Sequence, residues 1–513
     1  MKPWSTIATT THDEYQRLLL GLDQCAATQR KKLAQLLHCN ADTTFGLGYG
    51  FNLIDDPDLF RKVVPLHSYE DLALELQHQL QGQPCLLAEP VLHAEETGGS
   101  NGRAKLIPYS ASTLRAFQAA IYPWLHDLSQ HYRQLGYAYF SISPATRSPG
   151  VTHIGIPIGA ANDSIYFGNE LLEPLAAISF APRQLAAVKD MQQWQHLTLA
   201  YLLRAEDLTL LSVWSPTFIT ALLAELPQHA EGLLRELRDG IPAPLTGVPP
   251  LAPNPERAAV VARALAGGVP DTRLLWPRLQ LISCWTHASA ARFIPGLQRL
   301  FAHATIQGKG LLSTEGVVSI PLVGHNYPVL AVNSGFYEFL DAAERSHLAH
   351  ELRTGEDYEV VMTVPGLYRY LCGDRVRVHG WIGTAPQVEF IGRSGLVSDL
   401  VGEKLSEAFV ADCLKGIEGF AMLAPALEPR PHYHLYVEIA DSTLLEQVEQ
   451  ALQGNPQYAY ARALGQLAPL RVVTVKQPLQ RYQTWAMQRG QRLGDIKPPS
   501  LRSEPDWERH MCL

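Results

Sequence analysis

Apolar residues along this chain recur in two rhythms. In residues 12–38, Tyr15, Leu18, Leu19 and Leu22 follow three- and four-residue spacing, which predicts an opening helix. A second helix is predicted over 69–80, with Ser68 as its N-cap and a stop near Gly82. Short apolar runs at 85–87 and 90–93 precede a glycine-rich turn, and 113–128 is again helical in pattern. Residues 137–142 and 154–158 read as strands. Runs at 199–203 and 208–213 bracket a turn at 205–207, and Trp214–Pro216 leads into an apolar helix through Leu226. Residues 279–285 form a compact run of buried-strand type, succeeded by a small-residue turn at 286–291 and another helix. This alternation through about residue 390 predicts an α/β fold with a largely parallel or mixed sheet.

From Glu403 the pattern changes to a helix at 405–414, a strand at 432–439, a helix at 442–452, a strand at 470–476 and a final helix at 479–490. That is a compact α+β unit of the size of a separate domain. The expected organisation is a large N-terminal domain with mixed sheets and flanking helices over 1–392, a hinge at 393–402 and a small C-terminal domain at 403–513. A proline-rich connector at 241–255 reads as a surface loop.

Composition narrows the function more than the fold. With 513 residues, 46% hydrophobic and 18% charged, the chain has the make-up of a folded protein with a large core. The net charge of −8, with no Lys/Arg run that stands out, argues against nucleic acid as the main partner. Seven scattered cysteines, never in C-x-x-C spacing, argue for a reducing compartment and against a zinc site or disulfide frame. No apolar stretch approaches membrane-spanning length and the N-terminus lacks a signal-type apolar core, so a cytoplasmic protein without a membrane partner is expected.

Five stretches carry candidate chemistry. Residues 97–105 read T-G-G-S-N-G-R-A-K. Glycines let backbone N–H groups approach an anion, hydroxyls add donors, and a lysine supplies a point charge for phosphate oxygens. Arg103 and Ala104 separate Gly102 from Lys105, so this is not a Walker A loop. Taken alone, a surface turn with an incidental lysine would read the same. In 310–316, G-L-L-S-T-E-G, the Thr314-Glu315 pair offers a hydroxyl to phosphate and a carboxylate to Mg2+, or else merely caps the next element of the chain. Residues 366–378, G-L-Y-R-Y-L-C-G-D-R-V-R-V, predict a hairpin with Gly373-Asp374 at its turn. There the carboxylate is well placed for a ribose diol. Around 390–407, Gly392, Gly395 and Gly402 give the freedom of a hinge or an ordinary linker, with Arg393 beside it. Finally D-I-K-P-P at 495–499 sets Lys497 on a stiffened turn, where a lone lysine is ordinarily a solvated charge.

In this order the five stretches resemble those of the Gretchen Hagen (auxin-responsive) family of acyl-acid amido synthetases, within the adenylate-forming superfamily. The resemblance covers about 43–502 and extends to T-F-G at 44–46, F-R-K-V-V-P-L at 60–66, K-L-I-P-Y at 105–109 and F-Y-E-F at 336–339. G-L-Y-R-Y-L-C-G-D at 366–374 is its most specific part. It implies a two-step reaction. A small carboxylic acid and Mg·ATP give an acyl-adenylate and pyrophosphate, and the amine of an amino acid then releases an amide and AMP.

Carried over residue by residue, the resemblance places Thr97, Gly99, Ser100, Asn101, Gly102 and Lys105 in the phosphate loop, with Ser100 and Lys105 on the β- and γ-phosphates. It gives Thr314 the α-phosphate, Glu315 the metal, Asp374 the ribose, and Arg393 a charge near the ribose or α-phosphate. Lys497 would neutralise charge building between α-phosphate and carboxylate, and Lys105, Glu315 and Lys497 form the catalytic set. The C-terminal domain would pivot between half-reactions. Tyr122, Trp214, Phe218 and Trp285 are candidates for the acyl pocket, each equally consistent with plain core.

The chain departs from the family pattern in three places. Gly98-Gly99 before Ser100-Asn101 loses one hydroxyl and replaces another by an amide. Leu311 or Leu312 stands where an aromatic often precedes Thr-Glu, and Gly395 stands where a charged hinge residue is common. Two other readings remain open at this level: an acyl-adenylating ligase that passes its product to coenzyme A or a carrier protein, and a non-catalytic acyl- or nucleotide-binding relative.

Overall fold

The longest strand among the described residues, Leu367–Ile382, runs straight through the predicted Gly373-Asp374 turn. Cys372, Asp374, Val376 and Val378 are buried while Leu371, Arg375 and Arg377 are partly exposed, the two-residue period of a sheet covered on one face. This computed structural model describes residues 3–97, 105–132, 134–141, 150–159, 166–242, 247–440 and 443–512. The hairpin turn is instead at Pro365-Gly366, where the chain passes from Asp357–Val364 into Leu367–Ile382 and Gly366 has φ +84°. Gly373, at φ +77°, marks a bulge in which Leu371 to Arg375 faces only Val361 to Glu359. Glycine takes that backbone without steric cost.

Contacts divide the chain into two compact units. The first comprises 1–136, 147–179 and 308–390. Its centre is a seven-stranded sheet in the order Ser346–Leu348, Phe336–Leu340, Asp357–Val364, Leu367–Ile382, Ala385–Arg393, Val329–Leu330, Ser319–Ile320. Here the predicted strand–helix alternation gives way to hairpin-connected antiparallel strands, because short turns rather than helices separate the apolar runs. The opening helix is two, Pro3–Asp23 and Cys25–Cys39. Buried Gln29 joins the second to the sheet, donating to the carbonyls of Val332 and Gly335 at 2.8 Å and accepting from the Tyr337 N–H at 2.9 Å.

The motif at 366–374 does much of this unit's anchoring. Tyr368 stacks on Phe45 and donates to the Leu86 carbonyl at 2.9 Å. Arg369, at φ +45°, holds Glu338 through two bonds of 3.0 and 2.9 Å and donates to the carbonyls of Val64 and Arg61.

The second unit comprises 137–146, 180–307 and 391–513. One sheet orders Tyr137–Phe140, Leu208–Ser212, Leu281–Cys284 and Thr305–Gly308, with the first three parallel. The run at 199–203 is the end of helix Met191–Arg204. A three-stranded sheet, Ala421–Ala426, His432–Val437 and Arg471–Thr474, packs a separate apolar core with helices Leu444–Leu452 and Pro456–Ala463. The helix Pro456–Ala463 has no counterpart among the elements predicted from apolar spacing. Among the described residues no helix is long and apolar enough to cross a membrane.

Two outcomes are expected from buried charge. Arg369→Ala leaves Glu338, 1% exposed, without its cation, and unfolding free energy should fall by about 3–5 kcal/mol. Arg375→Ala, whose Asp357 partner sits 3.9 Å away at a partly exposed site, should cost under ~1 kcal/mol; denaturant midpoints compare the two. In the three-stranded sheet, His432 and His434 face each other with Nε2 atoms 2.9 Å apart. Burial, then His432, hold His434 below the usual histidine value, with Glu508 opposing and Arg471 assisting. The unfolded chain therefore binds the proton more readily, and this contribution is full above about pH 6.5 and declines as pH falls. Melting between pH 5 and 7.5 should show a smaller pH slope for His434→Gln than for wild type.

Candidate active site

In the first unit the phosphate-loop candidate is bracketed by an antiparallel hairpin, His93–Thr97 with Lys105–Tyr109, in register from His93↔Tyr109 to Thr97↔Lys105. Gly99, Ser100, Asn101 and Gly102 lie outside the described residues. The last pair sets where Lys105 leaves the sheet. Its ammonium stands 5.0 Å from the Tyr69 ring centroid, and Tyr69 accepts the Leu106 N–H at 3.0 Å. Among the described residues no carboxylate pairs with Lys105, which leaves the charge available to an anion.

At the far end of the same strand, Tyr109 donates its hydroxyl to the Thr314 carbonyl. Burial, then Tyr166, Glu95 and Glu315, push the Tyr109 phenol upward, so it stays a donor. Residues 313–316 form a tight turn closed by Ser313 N–H on the Gly316 carbonyl at 2.9 Å. Glu315 in that turn is 7% exposed, and among the described residues its carboxylate takes no hydrogen bond. A nearly buried carboxylate without a donor suits a cation. No cluster of three or more ligating side chains exists among the described residues.

Asp374 is 4% exposed, on the buried face of Leu367–Ile382 rather than at a turn. The partner strand Asp357–Val364 backs the Thr-Glu turn, since a Cβ on Gly316 would stand 3.4 Å from Val364 and 3.8 Å from Met362. Lys105, Thr314, Glu315 and Asp374 thus belong to one unit, joined by a strand pair and one tyrosine. Tyr122, also in this unit, is 6% exposed and donates to the Phe167 carbonyl at 2.7 Å.

The second unit holds Trp214, Phe218, Trp285, Arg393 and Lys497. Trp214 and Trp285 lie just beyond the C-terminal ends of neighbouring parallel strands, the edge where α/β sheets present ligand crevices. The Trp285 N–H donates to the Trp214 carbonyl at 2.8 Å, and the rings lie 6.0 Å apart. Lys497 places its ammonium 6.0 Å from the Trp285 ring centroid. Phe218 is fully buried between Tyr139 and Trp194, in the core. Arg393 is exposed at the end of Ala385–Arg393.

Sequence reasoning missed Tyr69 and gave Tyr109 no role beyond its place in K-L-I-P-Y. The available signal was an aromatic four residues after Lys105, on the same strand face by the two-residue period.

Residues 15–306 match the GH3 family N-terminal domain, 328–393 the GH3 family central domain and 403–506 the GH3 family C-terminal domain. An indole-3-acetic acid-amido synthetase of Oryza sativa subsp. indica is 24% identical, across 93% of this chain and 88% of that protein. A jasmonoyl–L-amino acid synthetase of Nicotiana attenuata is 24% identical across 74% of this chain and 71% of its own length. The solved structure of an acyl acid amido synthetase in complex with 2,4-DB superposes with a TM-score of 0.82 at 20% identity, covering 96% of this chain and 94% of that one. A 2-hydroxyisobutyryl-CoA ligase in the postadenylation state shares the fold at a TM-score of 0.54 and 13% identity, covering 98% and 90%. With its N-terminal, central and C-terminal domain models all matched in order, the chain belongs to the GH3 family.

Proposed function

We propose that this protein is an ATP-dependent acyl-acid amido synthetase. It activates a small carboxylic acid as an acyl-adenylate, releases pyrophosphate, and passes the acyl group to the amine of an amino acid with release of AMP. The observation that carries this reading is a pair of opposite charges in the first unit that no described side chain neutralises. Among the described residues Lys105 has only an aromatic contact, and Glu315, 7% exposed, takes no hydrogen bond. A triphosphate and its metal would satisfy both.

In this reading Lys105 holds the β- and γ-phosphates and Thr314 the α-phosphate. Glu315 ligates Mg2+, which would supply charge neutralisation for the departing pyrophosphate. Asp374 accepts from the ribose hydroxyls, and Arg393 adds positive charge toward the same nucleotide. The segment 97–105, including Gly99, Ser100, Asn101 and Gly102, contributes N–H and side-chain donors. Attack of the carboxylate on the α-phosphorus builds negative charge that Lys497 offsets, a step governed by positioning and electrostatics. Residues 403–513 pivot over 393–402 before the amine attacks. Trp214 and Trp285 present aromatic faces for an apolar acid, whereas Tyr122 and Phe218 are each buried within their own unit. The free cysteines fit a reducing, cytoplasmic setting.

ATP–pyrophosphate exchange across aromatic, indole, jasmonate-like and fatty acids tests the first half-reaction. Exchange with at least one acid is expected, with Lys105→Ala, Glu315→Ala and Lys497→Ala each losing roughly 100-fold or more, about 2.7 kcal/mol. Exchange in none, or exchange that survives Lys105→Ala and Glu315→Ala, contradicts the reading. Mass spectrometry with mixed amino acids then separates acceptors. An amide is expected, and a thioester formed only with coenzyme A would make the chain a CoA ligase instead.

A further inference from the structure

Lys497 sits on a short segment whose position is set from outside it. Two prolines, Pro498 and Pro499, connect it to Ser500, and their fixed φ transmits the placement of Ser500 back to the lysine. Ser500 is fully buried and all its polar groups are engaged. Its N–H donates to Glu407 Oε1 at 3.3 Å, and its carbonyl accepts the Leu423 N–H at 2.8 Å. Its Oγ accepts from the Arg292 guanidinium at 2.9 Å.

Arg292 lies in the short helix Ala288–Phe293, which begins three residues after Trp285. It is 5% exposed and has no carboxylate within 4 Å among the described residues. Its remaining donors go to the carbonyls of Ala421 at 2.7 Å and Gly419 at 3.3 Å, and its own carbonyl takes the Gly419 N–H at 2.9 Å. Burial lowers the guanidinium to about 10, with Glu407 opposing, so it remains charged at neutral pH. A cation in the interior without a carboxylate partner carries a desolvation cost that its bonds to two carbonyls and one hydroxyl offset. What it joins are the segment that carries Trp285 and the segment that carries Lys497, the residues whose side chains meet at 6.0 Å.

We propose that Arg292 is a positioning residue for the adenylation step. Through Ser500 it fixes Lys497 over Trp285, and it releases when the C-terminal part of the chain moves for amide formation. This rests on the role proposed above for Lys497, and it assigns Arg292 no contact with substrate. Arg292 belongs to the stretch matched by the N-terminal family domain, whereas Ser500, Glu407 and Gly419 belong to that matched by the C-terminal one. The clamp therefore spans the two sequence domains within one compact unit.

The test measures the two half-reactions separately in full-length protein: ATP–pyrophosphate exchange, and amide formation from supplied acyl-adenylate with an amino acid. Arg292→Lys and Ser500→Ala should each lower exchange at least tenfold and leave aminolysis within twofold of wild type. In a Lys497→Ala background neither should lower single-turnover adenylation further. Equal losses in both half-reactions, unchanged exchange, or losses that multiply with Lys497→Ala would overturn the proposal. Wild-type exchange in Lys497→Ala alone would locate the failure in the role of the lysine itself.

Discussion

A single hydrogen bond, from the buried hydroxyl of Tyr109 to the carbonyl of Thr314, joins parts of the chain 205 residues apart. A phenol with no solvent must find an acceptor, and here the acceptor is the backbone of the turn that carries Glu315. Because Tyr109 ends the strand that Lys105 begins, the hairpin register and this bond together fix lysine and carboxylate relative to one another. The nucleotide site proposed for the first unit is in this sense a consequence of ladder pairing plus one side chain.

How much the sequence revealed depends on how local each signal is. The strand at Leu281–Cys284 and the helices Ala111–His131 and Pro478–Gln488 were legible because apolar spacing is local; the capping box of Ser110 and Thr113 adds to the first of the two helices. The seven-stranded sheet was not, because buried antiparallel strands with short turns leave the same apolar runs as an alternating fold. Gly373 signalled a left-handed residue, yet bulge and turn use the same glycine, and only the partner strand decides between them. Arg292 and Arg369 were invisible as functional or structural cations. Nothing near either in sequence distinguishes it from a solvated arginine, since their acceptors lie far away along the chain.

Both units place ionisable side chains in their interiors and satisfy them with backbone groups. Arg369 uses the Val64 and Arg61 carbonyls beside Glu338, and Glu403 is held by the Leu400 and Val401 N–H groups at 2.8 Å together with Tyr433. Such groups hold segments in one arrangement, because any slippage leaves a charge without partners. An enzyme that must grip a triphosphate and then rearrange benefits from rigid local pieces separated by few pivots. Gly392, Gly395 and Gly402, all at positive φ, are the pivots of the proposed rearrangement.

Equilibrium binding of Mg·ATP to wild type, Tyr109→Phe, Glu315→Gln and the double variant tests most directly whether hairpin and turn act as one phosphate seat. If Tyr109 acts by holding Glu315 in place, its loss weakens binding in the wild-type background by several-fold and has little effect once Glu315 is glutamine. Losses that simply multiply, or binding that Tyr109→Phe leaves unchanged, would contradict the account.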